Sequence, residues 1–147
     1  MDWFNWYGTV IVAFLMVPNL FFLMKQKEQG HKAYRNLKLE IPEQIGRIGC
    51  IIFMMLQIPY ACRGVWLANG WIVYCVGNGI LLAAYFAFWI LCWNRYPRFR
   101  ALSLSILPSV LFLWSGILTA NLPLLATVLL FAPTHIAINW KTVSDAK

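Results

Sequence analysis

The sequence predicts an all-α integral membrane protein, a bundle of five transmembrane helices with its N-terminus outside and its C-terminus in the cytoplasm. Three observations lead there. Of 147 residues, 61% are hydrophobic and only 12% charged, with a mean hydropathy of +0.67, which is far from the balance of soluble domains. The apolar residues fall into runs long enough to cross a hydrocarbon core, which takes about 20 residues of helix. Finally, threading five spans from the outside puts Lys25, Lys27, Lys32, Arg35, Lys38, Arg47, Arg95, Arg98, Arg100, Lys141 and Lys147 on the cytoplasmic side. Arg63 is left alone opposite, so eleven of the 12 basic residues share one side, the bias that orients membrane proteins. Residues 1–147 are read as a single membrane domain, and the inner, plasma membrane is the expected location.

The first helix is expected over residues 3–24. MDWFNWYG opens on an acid and lacks the basic n-region of a cleaved signal, so the run is expected to stay as a span. Pro18 within it leaves the carbonyl of Phe14 without its helical partner. Residues 25–41 read as a cytoplasmic loop of mixed charge with an amphipathic turn near Tyr34, Leu37 and Leu39. The second helix, about 42–62, starts with Pro42 in its first turn. Residues 65–93 are uncharged and as one helix would reach about 43 Å, more than a bilayer holds, so Asn69 and Gly70 are taken as a turn and the third helix as about 71–93. Its face of Gly79, Ala83 and Ala87 is small enough for close helix approach and is expected to pack within the protomer, or against a second copy or a membrane partner. Residues 94–100 are a basic loop. The uncharged run 101–140 folds back at Thr119, Ala120, Asn121 and Pro123 into helices of about 101–118 and 122–140. Trp3, Trp6, Tyr60, Trp66 and Trp71 then gather at the outer interface, with Tyr34, Trp93, Tyr96 and Trp140 at the inner one.

The net charge of +7 would suggest nucleic acid in a soluble chain. Beside membrane spans the same residues set orientation and attract anionic headgroups, so membrane lipids and not nucleic acid are the expected partners. Cys50, Cys62, Cys75 and Cys92 match neither CxxC nor zinc-ligand spacing and read as apolar packing. No metal ligand set, cofactor motif, phosphate loop or serine elbow is present in the sequence.

Polarity concentrates in residues 40–62, EIPEQIGRIGCIIFMMLQIPYAC, where carboxylates run into an apolar segment. At helical spacing Glu43, Arg47, Cys50, Met54, Gln57 and Ala61 share one face, which should turn towards protein. The threading brings Asn19, Glu43, Arg47, Arg95, His135 and Asn139 to one depth near the cytoplasmic interface, and these are the candidate binding residues. Ionisable groups at that depth are costly enough to be functional candidates. On the outer side Asn5, Gln57, Asn69, Asn78 and Asn121 are neutral and read as interhelical hydrogen bonds. No charge crosses the centre, which argues against a dedicated ion path, a proton relay or a voltage sensor.

In outline, five helices and eight tryptophans in so short a chain resemble the tryptophan-rich sensory proteins of the translocator class. The proline- and tryptophan-rich first loop of that family has no counterpart on residues 25–47, so no function and no residue role is carried over. From the residues alone, the leading expectation is non-catalytic binding of a lipid or an amphipathic ligand in a kinked bundle. An accessory subunit of a larger membrane complex comes second. A membrane enzyme acting on lipid or isoprenoid headgroups, with Glu43 or His135 as acid or base and Arg47 or Arg95 on a phosphate, comes third.

Overall fold

The helix ends are set by proline and asparagine more than by the lengths of the apolar runs. The computed structural model describes residues 3–29, 37–92 and 97–144. It contains five helices, α1 (Trp6–Gln29), α2 (Leu37–Met55), α3 (Gly70–Leu91), α4 (Pro97–Leu118) and α5 (Leu122–Ser144), and among the described residues no sheet. Three of them, over Gly70–Leu91, Ala101–Leu118 and Leu122–Thr142, are long and apolar enough to cross a membrane. Their outward faces carry exposed Ile72, Val76, Ile80, Leu113, Leu122 and Leu129. A water-soluble surface does not carry that much continuous apolar area, so the chain associates with a membrane.

Several boundaries differ from expectation. The second helix was expected over 42–62 but ends at Met55. Pro59 cannot donate to the Met55 carbonyl, and its ring would collide with that group in a continued helix. The Asn5 backbone N–H takes the carbonyl instead, at 2.8 Å, and Gln57 N–H bonds the Trp3 carbonyl at 3.0 Å. Gln57 and Ala61 therefore lie beyond the helix, and residues 56–69 form a connection rather than a last turn. The expected loop 25–41 is partly helical, because α1 continues to Gln29 and α2 begins at Leu37; its centre, including Tyr34, lies outside the described residues. The basic segment 94–100 contributes Pro97 as the first residue of α4, a position that suits a residue without an N–H. Ser105 and Ser109 bond back to the carbonyls of Ala101 and Ser105, not to that of Leu104, the one Pro108 frees.

The two expected turns lie where the sequence put them. Asn69 has φ 59° just before α3. Ala120 has φ 45° between α4 and α5, and Asn121 Oδ1 accepts the Leu124 N–H at 3.1 Å to start α5.

Successive helices run in opposite directions. One end of the molecule, the loop end, gathers residues 3–5, 56–69 and 119–121, tied by the Leu122 N–H to Ala61 carbonyl bond at 3.0 Å and the Trp66 Nε1 to Ile117 carbonyl bond at 2.9 Å. Trp3, Trp6, Tyr60, Trp66 and Trp71 are all exposed at this end. The other, the basic end, holds the start of α2 and the close of α5. The most extensive contacts join α2 to α5, α4 to α5 and α3 to α4, whereas α1 touches α2 and α3 less. Met54, Tyr74, Leu111, Phe112, Leu124 and Phe131 form much of the buried centre.

The expectation that Gly79, Ala83 and Ala87 pack within the protomer is corrected by the structure: all three are exposed, and a Cβ on Gly79 would meet nothing within 4 Å. Tight backbone approaches occur instead at Gly8 on α1, where a Cβ would stand 2.3 Å from the Met54 carbonyl oxygen, and at Gly46 on α2, where one would stand 2.8 Å from both the Cα and the backbone N of Phe131 on α5.

Candidate functional site

The face of α2 that meets α5 is Glu43, Gly46, Cys50 and Met54, all buried. Gly46 takes the central place that the expected stripe left to Arg47, because only a residue without a side chain lets α2 lie against the α5 backbone. Arg47 turns to the edge of the contact, its side chain 35% exposed. The close approach brings Glu43 within reach of α5, one turn below Gly46.

Glu43 is 3% exposed, and a single oxygen of its carboxylate, Oε1, collects two partners. Arg47 donates to it through Nη2, and His135 Nδ1 lies 2.9 Å from it. A carboxylate buried this deeply is tolerable only with such partners. On α5 the His135 ring stacks on Phe131 one turn back, with centroids 4.6 Å apart and planes at 22°. One turn ahead, Asn139 Nδ2 donates to the His135 carbonyl at 2.9 Å and stands 3.4 Å from both ring nitrogens. The imidazole side chain is 17% exposed.

Of the six expected site residues, the structure brings together Glu43, Arg47, His135 and Asn139. Asn19 is elsewhere, on α1, donating to the Leu15 carbonyl at 3.2 Å and accepting from the Tyr85 hydroxyl at 3.1 Å. Arg95 lies outside the described residues. Gly46, Phe131 and Tyr85 escaped the reading of the sequence. The Gly-x-x-Gly of Gly46 and Gly49 was a usable signal for a close helix contact, and Phe131 four residues before His135 was one for a stacked ring.

A second polar group occupies the loop end and is entirely neutral. Asn5 Nδ2 donates to the Tyr74 hydroxyl at 3.3 Å, Ser115 Oγ to Asn78 Oδ1 at 3.0 Å, and Asn78 Nδ2 to the Tyr74 carbonyl at 2.9 Å. Asn121 Nδ2 donates to the Phe53 carbonyl at 2.8 Å. Beside this network, the Trp114 indole lies against Gly77, its buried Nε1 without a partner. Among the described residues no three His, Cys, Asp or Glu side chains are grouped to hold a metal ion.

Comparison with protein-family models, with curated proteins and with solved structures finds no match to this chain. Its function has therefore to be argued from the side chains themselves.

Proposed function

We propose that the chain crosses the membrane five times, N-terminus outside, and binds a lipid or an amphipathic small ligand, without catalysis, at its basic end around Glu43, Arg47 and His135. The observation that carries this reading is the shared oxygen of Glu43. Two basic side chains directed at one buried carboxylate cost more than any of the neutral contacts elsewhere in the protein, and scaffolding alone does not require them. Both basic groups also remain partly open, at 35% and 17% side-chain exposure, so a headgroup can reach them. Binding rather than catalysis fits the surroundings of His135, whose hydrogen-bond and ring partners among the described residues are Glu43, Asn139 and Phe131, none with a hydroxyl or thiol to activate. Five spans are supported by the apolar stretch Trp6–Phe21 of α1 and by α2, whose 19 residues rise about 28 Å with Glu43 turned towards α5. The charge bias of the sequence supports the orientation.

The test is native mass spectrometry of the protein extracted from its own membrane. A bound lipid or amphiphile retained by the wild type, and weakened about tenfold or more by Arg47→Gln, is the expected outcome. A wild type that carries no adduct, or one indifferent to Arg47, would overturn the reading.

A second reading, an accessory subunit of a membrane complex or a homo-oligomer, draws on the outward-facing Gly79, Ala83 and Ala87 of α3, a surface onto which another helix could pack closely. The same spectrum reports it as a co-purifying protein or second copy that Ala83→Leu removes.

A further inference from the structure

Among the described residues His135 makes one in-plane contact, through Nδ1. Nδ1 faces Glu43 Oε1 at 2.9 Å. An ionised carboxylate only accepts, so Nδ1 supplies the hydrogen, and a neutral imidazole held this way keeps its lone pair on Nε2. Asn139 does not occupy that lone pair. Its Nδ2 is 3.4 Å from Nδ1 and 3.4 Å from Nε2, and an in-plane position equidistant from both would collide with the ring carbon between them. The amide therefore lies over a ring face and sends its hydrogen to the His135 carbonyl at 2.9 Å. Phe131 packs along the ring as well. The imidazole is thus fixed by its faces and by Nδ1, with the in-plane direction of Nε2 unused by either neighbour on α5.

Arg47 stands beside it, since both side chains meet the same carboxylate oxygen. A guanidinium has five N–H donors in a planar fork, and here Nη2 is the nitrogen directed at Glu43. The two basic groups consequently offer opposite chemistry to a visitor: Arg47 offers hydrogens and positive charge, while Nε2 offers an acceptor. Lys38 and Lys141 add positive charge at the same end of α2 and α5, favouring an anion.

We infer that the ligand at this site is a phosphate ester carrying a free hydroxyl, the chemistry of a glycerol- or polyol-phosphate headgroup. The phosphate oxygens accept from Arg47, and the hydroxyl donates to His135 Nε2. This rests on the reading of the cluster as a headgroup site and adds which headgroup it takes. A choline headgroup supplies no donor to Nε2 and brings a cation towards Arg47. A simple alkyl phosphodiester satisfies Arg47 but leaves Nε2 empty.

The experiment titrates the full chain in neutral detergent with phosphatidylglycerol, phosphatidylethanol and phosphatidylcholine, reading occupancy by native mass spectrometry. Phosphatidylethanol carries the same phosphodiester charge without the hydroxyl. Phosphatidylglycerol is expected to bind about tenfold more tightly than phosphatidylethanol, as one added hydrogen bond provides, and phosphatidylcholine more weakly than either. His135→Phe keeps a flat ring for stacking and should bring the two anionic lipids to equal affinity. If that variant does not fold, the comparison among lipids on the wild type still decides. Glycerol 3-phosphate competing at the same site supports the chemistry and assigns a soluble source, whereas binding by phosphatidylglycerol alone supports it and assigns the bilayer. Equal affinity of the wild type for phosphatidylglycerol and phosphatidylethanol overturns the inference, as does phosphatidylcholine binding as tightly as phosphatidylglycerol. Both of those results leave lipid binding standing, while a wild type that binds none of the probes sinks the lipid-binding reading too.

Discussion

The polar groups inside this protein fall into two regions that solve the same problem differently. At the loop end Asn5, Tyr74, Asn78 and Ser115 join α1, α3 and α4 through neutral hydrogen bonds, and all four residues are buried. At the basic end the Glu43 carboxylate, paired with Arg47 on its own helix, joins α2 to α5 through His135, and two of the three stay partly open. Amides and hydroxyls can be satisfied completely by one another and then sealed from solvent. A guanidinium has more donors than one carboxylate oxygen can use, and its charge is best left near a polar medium. The closed network holds helices together, and the open one is where a ligand can still gain contacts.

Five variants sharpen or break that contrast, and thermal unfolding in detergent reads each. The largest effect is expected at Gly46→Leu. Its side chain has to displace the Phe131 backbone, which a flexible neighbour cannot absorb, so a loss of about 3 kcal/mol or more is expected. Retention of wild-type stability would mean that α2 and α5 do not approach as described. Next comes Arg47→Ala, expected to cost about 2 to 3 kcal/mol because Glu43 keeps its charge and loses its guanidinium partner. The double change Glu43→Gln with Arg47→Gln should cost about 1 kcal/mol, since it removes both charges and leaves amides that can pair with each other. A double variant as unstable as the single one would show that the charges do not oppose desolvation in this way.

In the neutral network Ser115→Ala leaves the Asn78 side-chain oxygen without that donor and should cost about 1 kcal/mol. A loss as large as that of Arg47→Ala would erase the distinction between the two regions. The smallest effect is expected at Gly79→Leu, where the new side chain enters open space on the outer face of α3 and stability of the chain should shift by under about 0.5 kcal/mol. A large loss there would show that a second helix covers this face.

Much of the architecture was legible one residue at a time. Apolar content and the length of each uncharged run are local quantities, and together they produce a helical membrane protein with turns at Asn69 and at Thr119–Ala120–Asn121. The depth of Glu43, Arg47, His135 and Asn139 also follows from counting along helices of known rise, because two antiparallel helices that share their ends share their levels. Asn19 shows where such counting stops. Its depth matches the cluster, but depth says nothing about azimuth, and its face of α1 meets Tyr85 on α3.

Tertiary structure decided the rest. α2 ends at Met55 because a chain segment fifty residues away, at Asn5, supplies the hydrogen that Pro59 lacks, a partner that no window around residue 59 contains. The tight contact falls at Gly46 and not at Gly79 because a small residue only permits close approach, and which helix takes up the permission depends on the shapes of all five. The meeting of Glu43 with His135 follows from that choice. Composition and spacing determined that carboxylate, guanidinium and imidazole would lie at one level. Only the seating of α2 on α5, at the one point where no side chain intervenes, turned a shared level into a shared oxygen atom.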